Sequence, residues 1–411
     1  MAVSGVLVLE SLMLFRSFRY RLAPTPEQEK TFEQFAGVCR LVYNLAWEQR
    51  RDFWRKFRTQ TGKHISYFSQ ARELTALRAE FDWIAAVPNA CQQQALRDLD
   101  KAYQSFFAGR SAYPKPRRRG VSDTFRFMGR EVETKQLNKK WSAVRLPKIG
   151  WVKFRRTRSI LGAIKNVTIL RDAMGWNASF ACAIDHEMRE PLPLIVGIDR
   201  GVANTLTLST GEHLSLPASL NALDRRKRKA QRALARKKRG SNRRTKALQR
   251  VSKLSAKIAR VRKDWHHKAA LDLSRRFGAV IMEDLKITNM TASGRGKRGL
   301  NRSILNQGWN VFENILAYKL EERGGTLVKV DPAYTSQTCS DCGVIDKESR
   351  ESQASFRCRH CGFAAHADHN AAINILRRNT SGLRVEEHHF CSDEARTGGG
   401  SPAENRVAEA A

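Results

Sequence analysis

The chain has 411 residues, of which 41% are hydrophobic, so it is long enough for roughly two or three domains with substantial cores. It contains 74 Lys and Arg against 40 Asp and Glu, a formal net charge of +34. This excess predicts a polyanionic partner, DNA or RNA. A basic membrane-surface protein is the alternative, but no apolar run of about 18 residues is present. We expect a cytoplasmic protein, because half of the cysteines lie in CxxC pairs and no signal-peptide pattern is found.

The first 110 residues predict one strand followed by a helical subdomain. Apolar and basic side chains alternate toward the end of residues 13–22, which is typical of a strand with one positive face. A helix is predicted next, with Thr25 as N-cap, Pro26 at its first position and Gln28 completing a capping box. Two further helices are predicted over 67–80 and 89–107. Residues before Met13 show no periodicity and are interpreted as an extension.

Residues 115–185 consist of short segments with alternating apolar and polar side chains, separated by Pro and Gly. This pattern is typical of a small antiparallel β-barrel. The strand at 13–22 is expected to belong to it, so the helical subdomain would be an insert. Many Lys and Arg side chains would decorate the barrel, where they could hold a nucleic-acid backbone.

Two short apolar segments each end in a carboxylate. Residues 194–198 predict a buried strand with Asp199 at its tip, and residues 279–282 predict a second strand followed by Glu283. Asp368 opens a predicted helix. If the strands are neighbours, three acids converge at one sheet edge, where Mg²⁺ or Mn²⁺ would find the oxygen ligands that they prefer. The alternative is that these acids are helix caps and turn residues.

The segment 225–263 contains 19 Lys or Arg among 39 residues and no acid. From Leu248 to Trp265, apolar residues recur at intervals of three or four, which predicts a docked helix with a basic outer face, separated by 240–242 from the preceding part. We expect this face to contact a nucleic-acid backbone, the alternative being a merely solvated surface. The candidate binding residues are Arg225, Arg226, Lys227, Arg228, Lys229, Arg236, Lys237, Lys238, Arg239, Arg243, Arg244, Lys246, Arg250, Lys253 and Lys257.

Two CxxC pairs, Cys339–Cys342 and Cys358–Cys361, are separated by 15 residues. Four cysteines at this spacing predict one tetrahedral zinc ion in a zinc ribbon, and a site filled by four thiolates is closed and structural. Between the second acid and these pairs, the sequence predicts a flexible basic loop at 293–300, a helix at about 304–323 and a strand at 326–330. Residues 379–411 lack apolar periodicity and predict a disordered tail.

Several motifs occur here in a specific order: Gly-Ile-Asp199-Arg-Gly, Met-Glu283-Asp-Leu, the two cysteine pairs, and Asp368-His-Asn-Ala-Ala-Ile-Asn. This combination resembles the TnpB (OrfB) family of bacterial insertion sequences, which is related to the type V CRISPR effectors. The resemblance extends over residues 13–378. His366 stands where the family usually carries the first of two acids, so the resemblance leaves Asp368 as the ligand of that motif.

The resemblance implies a transposon-associated RNA-guided DNA endonuclease, with a guide RNA and double-stranded target DNA as partners. Asp199, Glu283 and Asp368 would be its catalytic residues and would hold two Mg²⁺ or Mn²⁺ ions for phosphodiester hydrolysis. Two alternatives remain, a nuclease-inactive RNA-guided repressor and a transposase that transfers DNA strands. The oligomeric state stays open.

The implied fold is α/β plus β-barrel. Its nuclease domain would be RNase H-like (RuvC) and formed by residues 191–334 and 363–378, with a zinc ribbon inserted at 335–362. A β-barrel (wedge) domain would be formed by residues 13–24 and 111–190, with a helical recognition insert at 25–110, and the chain would begin with an extension at 1–12 and end with a tail at 379–411.

Overall fold

The computed structural model describes residues 11–61, 64–187, 189–292 and 296–378. Most of the predicted extension, the start of the predicted basic loop and the predicted tail lie outside these ranges. The chain divides into two compact units, one of residues 1–189 and 216–268 and the other of residues 190–215 and 269–411. Within the described part, no helix is both long and apolar enough to cross a membrane.

The first unit contains a seven-stranded antiparallel sheet with the order β2-β6-β7-β1-β5-β4-β3. The long first strand organises it, pairing with β7 through residues 11–21 and with β5 through Leu22 and Ala23. The strands are β1 (Ser11–Ala23), β2 (Thr124–Met128), β3 (Glu133–Gln136), β4 (Trp141–Leu146), β5 (Gly150–Arg155), β6 (Ala163–Asp172) and β7 (Gly175–Glu187).

The prediction of a closed barrel is wrong, because none of the described sheets closes on itself. Closure would require a ladder between β2 and β3, and these two strands are the opposite edges of the sheet. All four residues of β3 are exposed, as is common for a short polar edge strand. Alternating polarity specifies a half-buried strand but does not specify whether its sheet is open or closed.

Four helices are inserted between β1 and β2: α1 (Pro26–Thr61), α2 (Tyr67–Glu80), α3 (Asp82–Ala85) and α4 (Asn89–Phe107). The predicted capping box is present at the start of α1, since Gln28 N–H donates to Thr25 Oγ1 at 3.3 Å and Thr25 N–H donates to Gln28 Oε1 at 3.1 Å. The insert shares one core with the sheet. Phe32 illustrates this, because its ring contacts those of Phe125 and Trp176.

Two basic helices complete the first unit, α5 (Ser219–Ala235) and α6 (Asn242–Arg276), although the last residues of α6 belong to the second unit. The predicted break at 240–242 is confirmed. The predicted apolar stripe is buried only in part, since Ile258 is buried whereas Leu248 is 54% exposed. Arg260 on α6 forms an ion pair with Asp172 at the end of β6, with 2.6 Å between guanidinium and carboxylate. Val251, Leu254, Val261 and Trp265 are half-buried, so the stripe is covered along most of its length but not at Leu248.

The second unit contains a five-stranded sheet with the order β10-β9-β8-β11-β12, in which β8, β11 and β12 are parallel. A small antiparallel hairpin, β13 with β14, belongs to the cysteine-rich region. The strands are β8 (Ile195–Asp199), β9 (Leu206–Leu208), β10 (His213–Leu214), β11 (Ala279–Glu283), β12 (Thr326–Val330), β13 (Ser355–Arg357) and β14 (Ala364–His366), and the helices are α7 (Ile287–Met290), α8 (Arg298–Gln307), α9 (Trp309–Glu321) and α10 (Ala367–Arg377).

One predicted helix is divided in two. Residues 304–323 were expected to be continuous, but α8 ends at Gln307 and α9 begins at Trp309. Gly308 between them has φ of 68°, a left-handed conformation that glycine adopts at little cost and that ends the first helix. The helix α8 also begins earlier than expected, so Arg298 and the residues after it are helical rather than part of a loop.

Candidate active site and zinc centre

Two of the predicted acids leave the same edge of the second sheet. The strands β8 and β11 are parallel neighbours, and their register pairs Ile198 with Met282. Asp199 and Glu283, which follow these residues, therefore lie side by side at the carboxyl ends of the strands. The apolar residues of both strands are buried in the sheet, and each strand ends in a carboxylate at the carboxyl end of the sheet.

Asp368 reaches this edge from the last helix. The packing of α10 on β8 is close at Gly197, where a Cβ atom would lie 2.3 Å from the carbonyl oxygen of Ala372, so only glycine fits. A Cβ atom at Gly201 would lie 3.7 Å from Oδ2 of Asp368, which places this carboxylate beside the turn that follows Asp199. His366 caps the helix, since its Nδ1 accepts from the N–H of Asp368 at 3.3 Å.

The electrostatics of this edge favour a bound cation. Burial, together with the charges of Glu283 and Asp368, raises the pKa of Asp199 from 3.8 to about 7. Burial also raises the pKa of Glu283, although the hydroxyl of Thr335 donates to its Oε1 and opposes this effect. Partly desolvated carboxylates that repel one another are a donor set suited to hard divalent cations.

Two arginines at this site were not predicted. The side chain of Arg200 is 1% exposed, donates to the carbonyl oxygen of Glu283 and forms an ion pair with Glu313 at 3.3 Å. Burial lowers the pKa of Arg200. Arg350, from the region between the cysteine pairs, lies 3.7 Å from Oδ1 of Asp368. Arg200 belongs to the Gly-Ile-Asp199-Arg-Gly motif, but the motif does not indicate that its side chain is buried, and Arg350 lies outside the motifs described above.

The four predicted cysteine ligands come together. Their sulfur atoms all lie within 4.8 Å of one another, and the Cys339–Cys361 and Cys342–Cys358 pairs are 3.7 and 3.6 Å apart. Zn–S bonds of about 2.3 Å in a tetrahedron require sulfur atoms about 3.8 Å apart, so the cluster could bind a structural zinc ion. A hydrogen bond from the N–H of Cys361 lowers the pKa of Cys358 to about 6, which favours the thiolate.

Among the described residues, the three carboxylates do not approach one another as closely as these sulfur atoms do. A pair of metal ions about 3.5–4 Å apart needs a wider set of ligands than a single ion does.

Buried amides join the cysteine region to the helix that carries Asp368. The side-chain oxygen of Asn370 accepts from the N–H of Ser340 at 2.8 Å, and its amide donates to the carbonyl oxygen of Thr338 at 2.8 Å. Asn374, one turn later, donates to the carbonyl oxygens of Thr335 and Thr338 at 3.0 and 2.6 Å. Helix α10 is thereby fixed to the first cysteine pair as well as to β8.

The basic residues predicted to bind nucleic acid lie on α5, on the connection after it and on the first part of α6. All of them are exposed except Lys227 and Arg244, which are half-buried. Arg244 donates to the carbonyl oxygens of Leu234 and Lys237, so it braces the connection between the helices. Arg228 forms an ion pair with Asp224 at 2.9 Å, and the other residues contribute exposed positive charge to the surface of α5 and α6.

Three family models match the chain. Residues 179–294 match a model described as a probable transposase (OrfB), and residues 309–375 match a Cas12f1-like TNB domain. Residues 13–59 match a model described as a helix-turn-helix domain, although here they form β1 and most of α1.

Relatives match over nearly the whole chain. A putative RNA-guided DNA endonuclease, InsQ, from Escherichia coli (strain K12) is 36% identical over 378 residues, which is 88% of this chain and 91% of that protein. A putative RNA-guided DNA endonuclease from Streptomyces pristinaespiralis is 32% identical and covers 88% of each chain. The fold is similar to that of a Cas12f1 chain solved in complex with an sgRNA and target DNA, with a TM-score of 0.50, 16% identity, and coverage of 88% of this chain and 98% of that one.

Proposed function

Since the chain belongs to the TnpB (OrfB) family, we propose that it is a transposon-associated RNA-guided DNA endonuclease. Its partners would be a guide RNA and a double-stranded DNA target. The relatives from Escherichia coli and Streptomyces pristinaespiralis are named as putative RNA-guided DNA endonucleases. The observation that carries the proposal is the position of Asp199, Glu283 and Asp368 at one edge of the second sheet.

We assign phosphodiester hydrolysis to these three carboxylates. Two Mg²⁺ or Mn²⁺ ions bound there would activate water and stabilise the leaving oxygen. Asp199 and Glu283 would provide ligands from two neighbouring strands, and Asp368 would provide one from the helix above them. The raised pKa of Asp199 supports this assignment, because a cation would stabilise the carboxylate charge that burial and the neighbouring acids disfavour.

The two arginines have different roles in the proposal. Arg200 positions the carboxylates, since its buried guanidinium holds the carbonyl oxygen of Glu283 while its own N–H donates to Oδ1 of Asp199 at 2.8 Å. Arg350 adds a positive charge beside Asp368 on the side of the cysteine region. There it can contact a phosphate oxygen of a DNA strand and stabilise charge that develops during cleavage.

Binding of the nucleic acids is assigned mainly to the positive surface of α5 and α6. Exposed Lys and Arg side chains bind phosphates of any sequence, whereas base pairing with the guide would select the target. The four cysteines would hold a zinc ion with a structural role, and Asn370 and Asn374 would transmit its effect to α10.

The test begins with the RNA that co-purifies with the full chain. This RNA is sequenced, a plasmid that carries the complementary sequence is prepared, and cleavage is measured with Mg²⁺. Asp199→Ala, Glu283→Gln and Asp368→Asn should each abolish cleavage and retain RNA and DNA binding, because each removes a metal ligand rather than a phosphate contact. Asp284→Asn is the matched control, since this neighbouring carboxylate is 54% exposed and pairs with Lys329.

Cleavage at the wild-type rate by any of the three variants would remove that residue from the assignment. Guide-dependent binding by the wild-type protein without cleavage, under all metal conditions, would instead favour the repressor. Joining of DNA ends in place of their release would favour strand transfer.

A further inference from the structure

The helical insert contains a cavity that neither the carboxylates nor the basic helices use. It has a volume of about 660 Å³ and lies between the end of α1 and the end of α4. Its walls include Trp54 and Phe107, whose ring centroids are 6.0 Å apart, and Tyr113. These side chains are 44%, 63% and 41% exposed, so aromatic faces are open to solvent around the cavity.

The floor of the cavity is polar and fixed. Arg50 lines it, is only 10% exposed, and forms an ion pair with Asp100 at 3.0 Å. The second carboxylate oxygen of Asp100 accepts from Gln104 at 2.8 Å, and the hydroxyls of Tyr103 and Tyr113 are 3.1 Å apart. A ligand that enters the cavity beside the aromatic rings would therefore meet hydrogen-bonding groups that are already held in place.

An exposed cation lies beside the cavity. Arg110 stands between the lining residues Phe107 and Tyr113 in the chain, and Arg55 and Lys56 follow Trp54 on α1 but are directed away from the lining face of the helix. Among the described residues none of these three cations forms a salt bridge. The nearby acids Glu48 and Asp52 are both paired with Arg51. A second copy of the chain, placed symmetrically on this patch, would bring these cations against one another. A flat ligand with a negative charge satisfies both the rings and the cations.

We propose that this cavity binds one unpaired nucleobase of a nucleic-acid strand, with the base stacked against the exposed faces of the Trp54 and Phe107 rings and its phosphate near Arg110. The proposal rests on the proposed function, in that the chain must bind nucleic acid. It adds a site for a base outside the duplex. Aromatic side chains bind unpaired bases by stacking on them, with little dependence on sequence.

The test uses the full chain and two sets of single-stranded oligonucleotides, one DNA and one RNA, in which a single 2-aminopurine is moved along the strand. Binding to the wild-type protein should change the fluorescence of 2-aminopurine at one position or more. Phe107→Leu keeps an apolar side chain but removes the ring, and it should weaken binding about tenfold and remove the fluorescence change. Trp54→Ala should have the same effect, whereas Phe107→Tyr should restore binding.

The control is Trp83→Ala, which removes another half-exposed tryptophan of the helical insert that does not line the cavity. It should bind like the wild-type protein. Thermal unfolding of each variant detects loss of the fold, which is not expected because Phe107 and Trp54 are exposed. Comparison of the DNA and RNA sets identifies which strand supplies the base.

If Phe107→Leu and Trp54→Ala keep the affinity and the fluorescence change of the wild-type protein, the proposal for the cavity is overturned. The proposed function stays intact in that case if these variants still cut DNA. The cavity would instead be a protein interface if both variants changed the oligomeric state and not the affinity for the oligonucleotides. A wild-type protein that binds no oligonucleotide and cuts no plasmid would contradict the proposed function itself.

Discussion

The raised pKa of Asp199 makes the stability of the metal-free protein dependent on pH. Between its ordinary value of 3.8 and the value of about 7 in the folded chain, the folded protein binds more protons than the unfolded one. The free energy of unfolding must therefore fall as pH rises through this range. Asp199→Asn removes the titration and keeps an oxygen that can accept from the N–H of Arg200. At pH 8 this variant should be more stable than the wild-type protein by up to about 4 kcal/mol.

That figure is an upper bound, because Glu283 also has a raised pKa and its charge contributes to the shift of Asp199. The measurement is denaturant unfolding of both proteins from pH 4 to pH 8 in the presence of a chelator. The two stabilities should converge near pH 4 and diverge above it, and Mg²⁺ at pH 8 should stabilise the wild-type protein only. Asp284→Asn should follow the wild-type curve. Parallel curves for Asp199→Asn and the wild-type protein would refute this reasoning.

Three further predictions concern other parts of the molecule. The purified protein should contain one zinc ion per chain. Cys358→Ser should lower both the zinc content and the melting temperature, since structural zinc contributes to folding. Zinc-free protein with a normal melting temperature would contradict this. Replacing four exposed Lys or Arg residues between 225 and 257 with Gln should reduce the slope of log affinity against log salt by roughly one unit per lost contact, and an unchanged slope would make this surface structural. Arg200→Met or Glu313→Gln alone should lower the free energy of unfolding by about 3 kcal/mol, because each leaves a buried charge without its partner. The double variant should lose less stability than the sum of the two single variants, and additive losses would contradict this.

The parts of the site that could be predicted are those with a local signal. The spacing of the four cysteines specifies a metal site because few other arrangements satisfy it. Asp199 and Glu283 could be placed at strand ends because each follows a short segment of consecutive residues that are mostly apolar. The helix start at Thr25 could be predicted for the same kind of reason, since the capping box involves only neighbouring residues.

What could not be predicted depends on contacts between distant residues. Arg200 contacts Glu313, and Arg350 contacts Asp368, but neither pairing has a sequence spacing that identifies it. The exposed strand β3 has no apolar alternation. The failure of the sheet to close depends on how its edge strands are placed, and the sequence of one strand does not contain that information.

The order in which the three carboxylates occur in the chain has a consequence during synthesis. At about 5–20 residues per second, the ribosome needs roughly 5–20 s to proceed from Lys268, where the first unit ends, to Asp368. The first unit is complete at Lys268, whereas α10 is among the last described elements to emerge. A nascent chain can therefore fold its basic surface and bind RNA before it possesses a complete cutting centre. Under the proposed function, this delay would give the protein time to acquire its guide before it is able to damage the DNA of the cell that makes it.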